Sequence, residues 1–237
     1  MLVLRERASA LVWLAALACS VGLSAPVFAG AQAEEKLVSS VQNALASAIA
    51  DRSAPRLIGD PRETQPWLAE MSTRLAKRMP DSEQRAEFLI TVQYEASRAG
   101  LDPQLVLAVI THESAFRKYA ISSASARGFM QVMPFWVKLI GTPEHNLFHL
   151  RTNLRYGCVI LRHYLDIEKG DVVRALARYN GSLGRFEYPN VVMGYLESRW
   201  RWSTTSYAAS VTATNVAPAA AATAVTGTAS STASAKQ

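Results

Sequence analysis

Apolar residues recur at helical spacing through most of this chain, and this periodicity restricts the possible folds more than any other feature of the sequence. Between residues 34 and 50, an apolar side chain returns at every fourth position. The members of this series are Leu37, Val41, Leu45 and Ile49. No convincing run of alternating apolar and polar residues indicates a strand, so the sequence predicts an all-α fold.

Proline, aspartate and glycine mark the predicted ends of the helices. Pro66 is expected at the first position of a helix that Pro80 ends. Asp81 is expected to cap a helix that runs to about residue 99, where Gly100 supplies the stop. Asp102 is expected to cap the next helix. Further helices are predicted at about residues 131–140, 150–168, 171–179 and 189–201.

Residues 1–29 have the layout of a secretory signal peptide. A charged head with Arg5 and Arg7 is followed by an apolar run, and small residues offer cleavage after Ala29 or after Ala33. The apolar run is short for a bilayer span, which favours a cleaved signal peptide over an uncleaved membrane anchor. We therefore expect a periplasmic or secreted protein.

Residues 203–237 consist mainly of Ala, Thr and Ser. A segment of this composition has too few large apolar side chains to offset the entropy lost on folding, so it is predicted to be disordered. The remaining residues divide into an N-terminal helical segment with a linker, at 30–79, and a core domain at 80–202.

The chain is basic, with a formal net charge of +6. A basic exported protein suits an anionic surface such as a cell wall with its peptide carboxylates. No nucleic-acid-binding motif is present, so nucleic acid is not an expected partner. Cys158 would be the sole cysteine left after signal cleavage, and its apolar neighbours predict a buried thiol.

The helix that begins near Pro103 carries a carboxylate on its apolar face. Glu113 follows Val109 by four positions and Ile110 by three, so the three residues share the face expected to be buried. Burial and the negative end of the helix dipole both disfavour the ionised carboxylate. The pKa of Glu113 is therefore expected to be raised, as a general acid for glycosidic bond cleavage requires. The alternative is a structural ion pair with Arg117.

No metal site or cofactor is predicted. His112 and Glu113 begin an H-E-x-x-H zinc motif, but Phe116 stands where the second histidine is required. His145 and His149 are four residues apart, but no third ligand is evident, so both are expected at the surface.

The segment after Glu113 contains no Asp or Glu from Ala115 to Pro143. Glycosidases that use two carboxylates place the second one across the scissile bond from the acid. The later acidic residues, including Glu187, are interpreted as solvated surface or helix caps. Either the second carboxylate is remote in sequence, or none is used.

Residues 101–134 closely resemble the catalytic region of the soluble lytic transglycosylases, the SLT-type lysozyme-like family related to goose-type lysozymes. Three family signatures occur in the family's order. They are Glu113-Ser114, Gly128-Phe129-Met130-Gln131 and Tyr179-Asn180. Asn153 and Gly157 resemble the family's intervening helix, and the likeness covers about residues 85–200.

The resemblance implies a lysozyme-like domain over residues 80–202 and a role for Glu113. Glu113 would protonate the glycosidic oxygen between N-acetylmuramic acid and N-acetylglucosamine. It would then take a proton from the muramoyl C6 hydroxyl, which leaves a 1,6-anhydro end without consuming water. The substrate's own N-acetyl group would stabilise positive charge at C1, so a second carboxylate would not be needed.

The resemblance also implies roles for the other matched positions. Tyr179 would hydrogen-bond to Glu113 and position it. The sugar and its N-acetyl group would be held by Ser114, Gln131 and Asn180, and the cleft floor would be shaped by Gly128 and Met130. Ser125 stands where the family often has Gly. If its φ must be positive, serine costs about 1 kcal/mol without preventing the fold.

Two other functions stay open. One is a hydrolytic muramidase aided by a remote carboxylate such as Glu187, and the other is a non-catalytic peptidoglycan-binding module. The expected partner is the peptidoglycan glycan strand. The sequence names no protein partner, whether in a secretion machine or in wall synthesis.

Overall fold

The computed structural model describes residues 32–203. The predicted signal peptide at residues 1–29 lies outside the described residues, and so does the predicted disordered tail from residue 204 onward. Within residues 32–203 the regular structure is helical, which confirms the all-α prediction. The β pairing in this region consists of two isolated bridges, from Arg127 to Ile121 and to Val132.

The described region contains α-helices and one π-helical turn. None of these helices is long and apolar enough to cross a membrane. Their bounds are α1 (Ser39–Ile49), α2 (Pro61–Leu75), α3 (Ser82–Arg98), α4 (Pro103–Glu113), α5 (Phe135–Ile140), α6 (Leu150–Ile167), α7 (Val172–Asn180), α8 (Glu187–Tyr195) and the π-helical turn Leu196–Trp200.

Aspartate caps begin α3 and α4 as predicted. Asp81 accepts hydrogen bonds from the Glu83 and Gln84 amides at the start of α3. Asp102 accepts from the Gln104 amide at the start of α4. Each carboxylate satisfies amides that have no partner within the helix, and this fixes the first residue of the helix. Gly100, with a φ of 64°, ends α3.

The predicted start of α2 at Pro66 is wrong. The helix begins at Pro61, where Asp60 accepts a hydrogen bond from the Arg62 amide. Proline lacks an N–H, and the first helical position does not need one, so Pro61 fits there. Pro66 lies inside the helix, which ends at Leu75.

The helix predicted at residues 131–140 is shorter, because α5 begins only at Phe135. Gln131 has a φ of 47°, which is incompatible with a right-handed helix. Residues 128–131 form a turn in its place.

The chain forms two compact units. The first consists of the described residues up to Ala50 together with Arg117–Pro189. In this unit α6 packs against α7, and α1 packs against α5 and α6. Its centre holds completely or almost completely buried aromatic side chains and the buried Cys158 thiol, as predicted for that cysteine. The aromatic members are Trp136, Tyr156, Tyr164 and Tyr179.

The second unit consists of Asp51–Phe116 and the described residues from Asn190 onward. Here α2 packs against α3, α3 packs against α4, and α4 packs against the π-helical turn. The core of this unit is formed by buried apolar side chains on three of these helices. They are Met71, Leu75, Phe88, Leu89, Leu107 and Ile110.

Candidate active site

The seven predicted site residues fall into two groups. Glu113 and Ser114 belong to the second unit. The other five belong to the first unit, and they are Gly128, Met130, Gln131, Tyr179 and Asn180.

Glu113 is the last residue of α4. Val106, Val109 and Ile110 are completely buried, as the sequence periodicity predicts for this face. Glu113 itself is half-buried. Its carboxyl group therefore lies at the margin of an apolar surface, and the helix dipole presents its negative end there.

A buried hydrogen-bonded pair anchors the last turn of α4. Trp200 Nε1 donates to Thr111 Oγ1 at 2.8 Å, and the Thr111 hydroxyl donates to the Leu107 carbonyl at 2.7 Å. Sequence reasoning missed Trp200. Thr111 could have indicated such a residue, because a hydroxyl group on a buried helix face requires a hydrogen-bond partner.

The backbone changes direction sharply after Glu113. Ser114 is only 1% exposed, and its hydroxyl donates to the Ile110 carbonyl at 3.4 Å. Ala115 and Phe116 then have φ values of 49° and 67°. This left-handed conformation costs about 1–2 kcal/mol for each such residue. Packing of the Phe116 ring against Phe88 and Trp200 holds the turn in place.

Gly128 to Gln131 form a tight turn closed by the glutamine side chain. The Gly128 amide donates to the Ala120 carbonyl at 2.9 Å. Gln131 Nε2 donates to the Gly128 carbonyl at 3.0 Å and to the Ala120 carbonyl at 3.1 Å. Gln131 is 8% exposed, so its amide stabilises the turn from within.

The same turn leaves no room for a side chain at its first residue. Gly128 has a φ of 74°, and a Cβ there would lie 2.4 Å from Asn153 Nδ2 and 2.6 Å from the Leu147 carbonyl. Both the backbone angle and the close approach therefore require glycine.

Met130 is held through both of its backbone polar groups. The Met130 amide donates to Asn153 Oδ1 at 2.8 Å, and the Met130 carbonyl accepts from the Tyr179 hydroxyl at 2.7 Å. Its side chain packs on Gly157, where a Cβ would lie 2.3 Å from the Met130 sulfur. The structure thus brings Gly128, Met130, Gln131 and Tyr179 together through hydrogen bonds and packing around one turn.

Asn180 is half-buried and is the last residue of α7. Gly181 follows it with a φ of 76°, and this left-handed residue ends the helix. Sequence reasoning named Asn153 and Gly157 only through the resemblance and assigned them no role. Both could have been recognised from the sequence, because a polar residue and a glycine stand four positions apart on the buried face of α6.

Strained backbone is concentrated around these residues. Among the described residues, five non-glycine residues have a positive φ, and four of them lie between residues 115 and 131. One is Ser125, with a φ of 69°, so this position does require the conformation that favours glycine. Such strain persists only where surrounding contacts over-determine it, and it often marks functional segments.

His145 and His149, the histidines four residues apart, differ in their surroundings. His149 is exposed, as expected, but His145 is half-buried, and its Nδ1 lies 2.7 Å from the Tyr156 hydroxyl. Burial raises the pKa of Tyr156 to about 12, so the hydroxyl stays protonated. Within residues 32–203, no group of three or more His, Cys, Asp or Glu side chains is placed to hold a metal ion.

The family model described as "Transglycosylase SLT domain" matches residues 90–190. A transglycosylase of Enterobacteria phage PRD1 is 31% identical over 121 residues, covering 51% of this chain and 40% of the phage protein. A membrane-bound lytic murein transglycosylase C from Cronobacter sakazakii is 31% identical over 123 residues, covering 43% of this chain and 33% of that protein. The chain thus spans less than half the length of these curated relatives.

Two further similarities cover smaller shares of the compared proteins. A membrane-bound lytic murein transglycosylase C from Actinobacillus pleuropneumoniae serotype 5b is 46% identical over 48 residues, covering 20% of this chain and 13% of that protein. The X-ray structure of an inactive mutant of the lytic transglycosylase Slt from Pseudomonas aeruginosa covers 65% of this chain and 29% of that chain. Its sequence identity is 23% and its TM-score is 0.38.

The described region is all-α. It carries a half-buried glutamate, Glu113, at one helix end, and a turn that requires Gly128 and is held by the buried side chains of Asn153 and Tyr179. Residues 90–190 of this chain are similar to the transglycosylase SLT domain, whose family model matches them.

Proposed function

We propose that this protein is a lytic transglycosylase that cleaves the glycan strands of peptidoglycan, and that Glu113 is its acid and base. The observation that carries the proposal is the position of Glu113 within the SLT domain. It ends a helix, is half-buried, and follows a completely buried apolar face. The proposed role requires this carboxyl group to be neutral before it transfers its proton, as a general acid must be.

In the proposed reaction the Glu113 carboxyl donates its proton to the oxygen between N-acetylmuramic acid and N-acetylglucosamine. The bond from C1 to this oxygen breaks, and the substrate's N-acetyl group stabilises the positive charge at C1. The Glu113 carboxylate then removes the proton of the muramoyl C6 hydroxyl, and the C6 oxygen bonds to C1. Glu113 is protonated again, and the product carries a 1,6-anhydro ring.

The absence of acidic residues from Ala115 to Pro143 supports this route over one with two neighbouring carboxylates. Glu187, the remote carboxylate that a hydrolytic mechanism could use, is exposed in the first turn of α8.

The remaining matched residues are proposed to bind the strand. Gln131 and Asn180 would hold the sugar and its N-acetyl group, and Ser114 would assist them. Gly128 and Met130 would shape the surface beneath the strand. Tyr179 supports this surface through its bond to the Met130 carbonyl, in addition to the predicted role of positioning Glu113.

We further propose that the protein acts outside the cytoplasm. The signal-peptide pattern of residues 1–29 and the names of the membrane-bound murein transglycosylase relatives support this location. We propose that the transglycosylase domain extends over residues 80–202, somewhat beyond the matched range.

The test is to digest purified peptidoglycan with the full mature chain and to identify the new ends by mass spectrometry. We expect 1,6-anhydromuramoyl ends. The Glu113→Gln variant should lose cleavage by at least about 1,000-fold, because it lacks the proton that general acid catalysis transfers, while its circular dichroism stays unchanged.

Glu187→Gln is the matched control and should retain the activity of the wild type. Reducing ends in place of anhydro ends would assign the protein to the hydrolytic muramidases. Binding of peptidoglycan without any new ends would assign it to the non-catalytic modules. Unchanged turnover in Glu113→Gln would refute the role of Glu113.

A further inference from the structure

A group of aromatic, apolar and basic side chains, exposed except for the half-buried Phe148, lies beside the Gly128–Gln131 turn in the first unit. Its members, which we call the shelf, are Lys118, Tyr119, Ile121, Arg127 and Phe148. Tyr119 is 71% exposed and Ile121 is 64% exposed. The ring centroids of Tyr119 and Phe148 are 5.8 Å apart. Large exposed apolar groups that cluster in this way commonly mark a binding surface.

A cation accompanies each ring of the shelf. Lys118 Nζ lies 5.4 Å from the centroid of the Tyr119 ring, and Arg127 Cζ lies 5.9 Å from that of Phe148. Both basic side chains are exposed. No acidic residue occurs between residues 115 and 143, so neither cation has an acidic neighbour within its own loop. The shelf therefore combines flat apolar surface with positive charge that is available to a ligand.

The shelf is fixed to the turn that carries Gly128 and Gln131. The Arg127 amide and carbonyl exchange hydrogen bonds of 3.0 Å with Val132. The Ala120 carbonyl, between Tyr119 and Ile121, accepts from the Gly128 amide and from Gln131 Nε2. A ligand on the shelf would thus be positioned relative to this turn by a rigid network.

We propose that the shelf binds a peptide-bearing muramoyl unit of the glycan strand, an inference that rests on the function proposed above. The Tyr119 and Phe148 rings offer flat apolar faces, which suit the C–H face of a pyranose. Lys118 and Arg127 offer positive charge to the carboxylates of the stem peptide. The enzyme consequently distinguishes peptide-bearing strands from bare glycan.

The test compares two substrates made from one preparation of peptidoglycan. One retains its stem peptides, and the other has been stripped of them by an amidase that cuts the lactyl–peptide bond. The rate of release of anhydro ends gives kcat/KM for each. Wild type is expected to prefer the peptide-bearing strands.

Each exposed cation is expected to contribute about two- to fivefold to this preference, as exposed ion pairs do. The double variant Lys118→Gln with Arg127→Gln should therefore lower the ratio of the two kcat/KM values by about tenfold, and added salt should have the same effect on the wild type. Tyr119→Ala should raise KM on both substrates, whereas Tyr119→Phe, which keeps the ring, should not.

Lys77→Gln, an exposed lysine of the second unit, is the matched control for charge and should leave the ratio unchanged. An equal ratio in wild type and in the double variant would overturn the inference, since the shelf would then serve another partner. This outcome differs from failure of the proposed function, in which neither substrate yields anhydro ends.

Discussion

Asn153 holds the Met130 backbone through a single side-chain amide that both accepts and donates hydrogen bonds. Its Oδ1 accepts from the Met130 amide at 2.8 Å, while its Nδ2 donates to the carbonyls of Arg127 and Leu147 at 2.8 and 2.9 Å. Asn153 is completely buried. Because one end must accept and the other must donate, only an amide of this length satisfies all three backbone groups.

Replacing Asn153 by Asp should destabilise the protein. The carboxylate would lose both donors and would face two carbonyl oxygens in a buried site. We expect the free energy of unfolding to fall by about 2–4 kcal/mol, measured by urea denaturation at neutral pH. Asn190→Asp, at an exposed position of α8, is the control and should change stability by less than about 0.5 kcal/mol. Equal stability of the two variants would contradict the proposed role of Asn153 in stabilising the turn at Met130.

Ser125→Gly should stabilise the protein, because Ser125 has a φ of 69°. Relief of left-handed strain is worth about 1–2 kcal/mol, and part of it is offset by the greater freedom of glycine in the unfolded chain. We therefore expect a modest gain in unfolding free energy, seen as a higher Tm. Ser123→Gly, two residues earlier and without a positive φ, should lower the Tm. A loss of stability in both variants would show that residue 125 is not strained.

Gly157→Ala should displace Met130 and loosen the turn. A Cβ at this position would lie 2.3 Å from the Met130 sulfur and 2.7 Å from the Met130 Cβ. Overpacking of this kind costs about 1–3 kcal/mol, and cleavage of peptidoglycan should fall as well. Gly194→Ala is the matched control in a helix. Its Cβ would meet nothing within 4 Å, so a small gain in stability is expected there. Thermal denaturation of both variants decides the comparison.

Glu168 links stability to pH through two arginines. The Arg174 guanidinium, followed by that of Arg178, holds the pKa of Glu168 below its ordinary value. Arg178 Nη2 lies 2.6 Å from Glu168 Oε1. A carboxylate whose folded pKa is lowered binds protons less readily than in the unfolded chain. Its contribution is therefore complete above the ordinary pKa and is lost as the pH falls through the lowered folded value.

Glu168→Gln should accordingly reduce stability at neutral pH and make the unfolding free energy less dependent on pH below 4.5, the ordinary pKa of this carboxyl group. Urea denaturation between neutral and acidic pH measures this slope. Glu197→Gln, which removes an exposed partner of Arg201, should leave the slope nearly unchanged. A wild-type slope in Glu168→Gln would refute the linkage.

Much of the local structure could be predicted because it depends on neighbours in sequence. Asp81 and Asp102 cap the amides two or three residues away, so the starts of α3 and α4 follow from the local sequence alone. Val109 and Ile110 are buried, as their spacing predicts, but so is every residue of α4 from Leu105 to Thr111, so the spacing alone did not single out one buried face. The start predicted at Pro66 is wrong because Asp60, a favoured N-cap residue, and Pro61 form a start five residues earlier, whereas Gln65 before Pro66 is not a favoured cap.

The sequence by itself determined the helical class, most helix boundaries and the candidate residues carried by the family signatures, all of which reside in short segments. Only the tertiary structure showed that Asn153 and Tyr179 brace Met130 and that Trp200 anchors Thr111. These partners lie 23, 49 and 89 residues apart in the chain. Periodicity shows which face of a helix is buried, but packing decides which buried polar group meets which donor or acceptor.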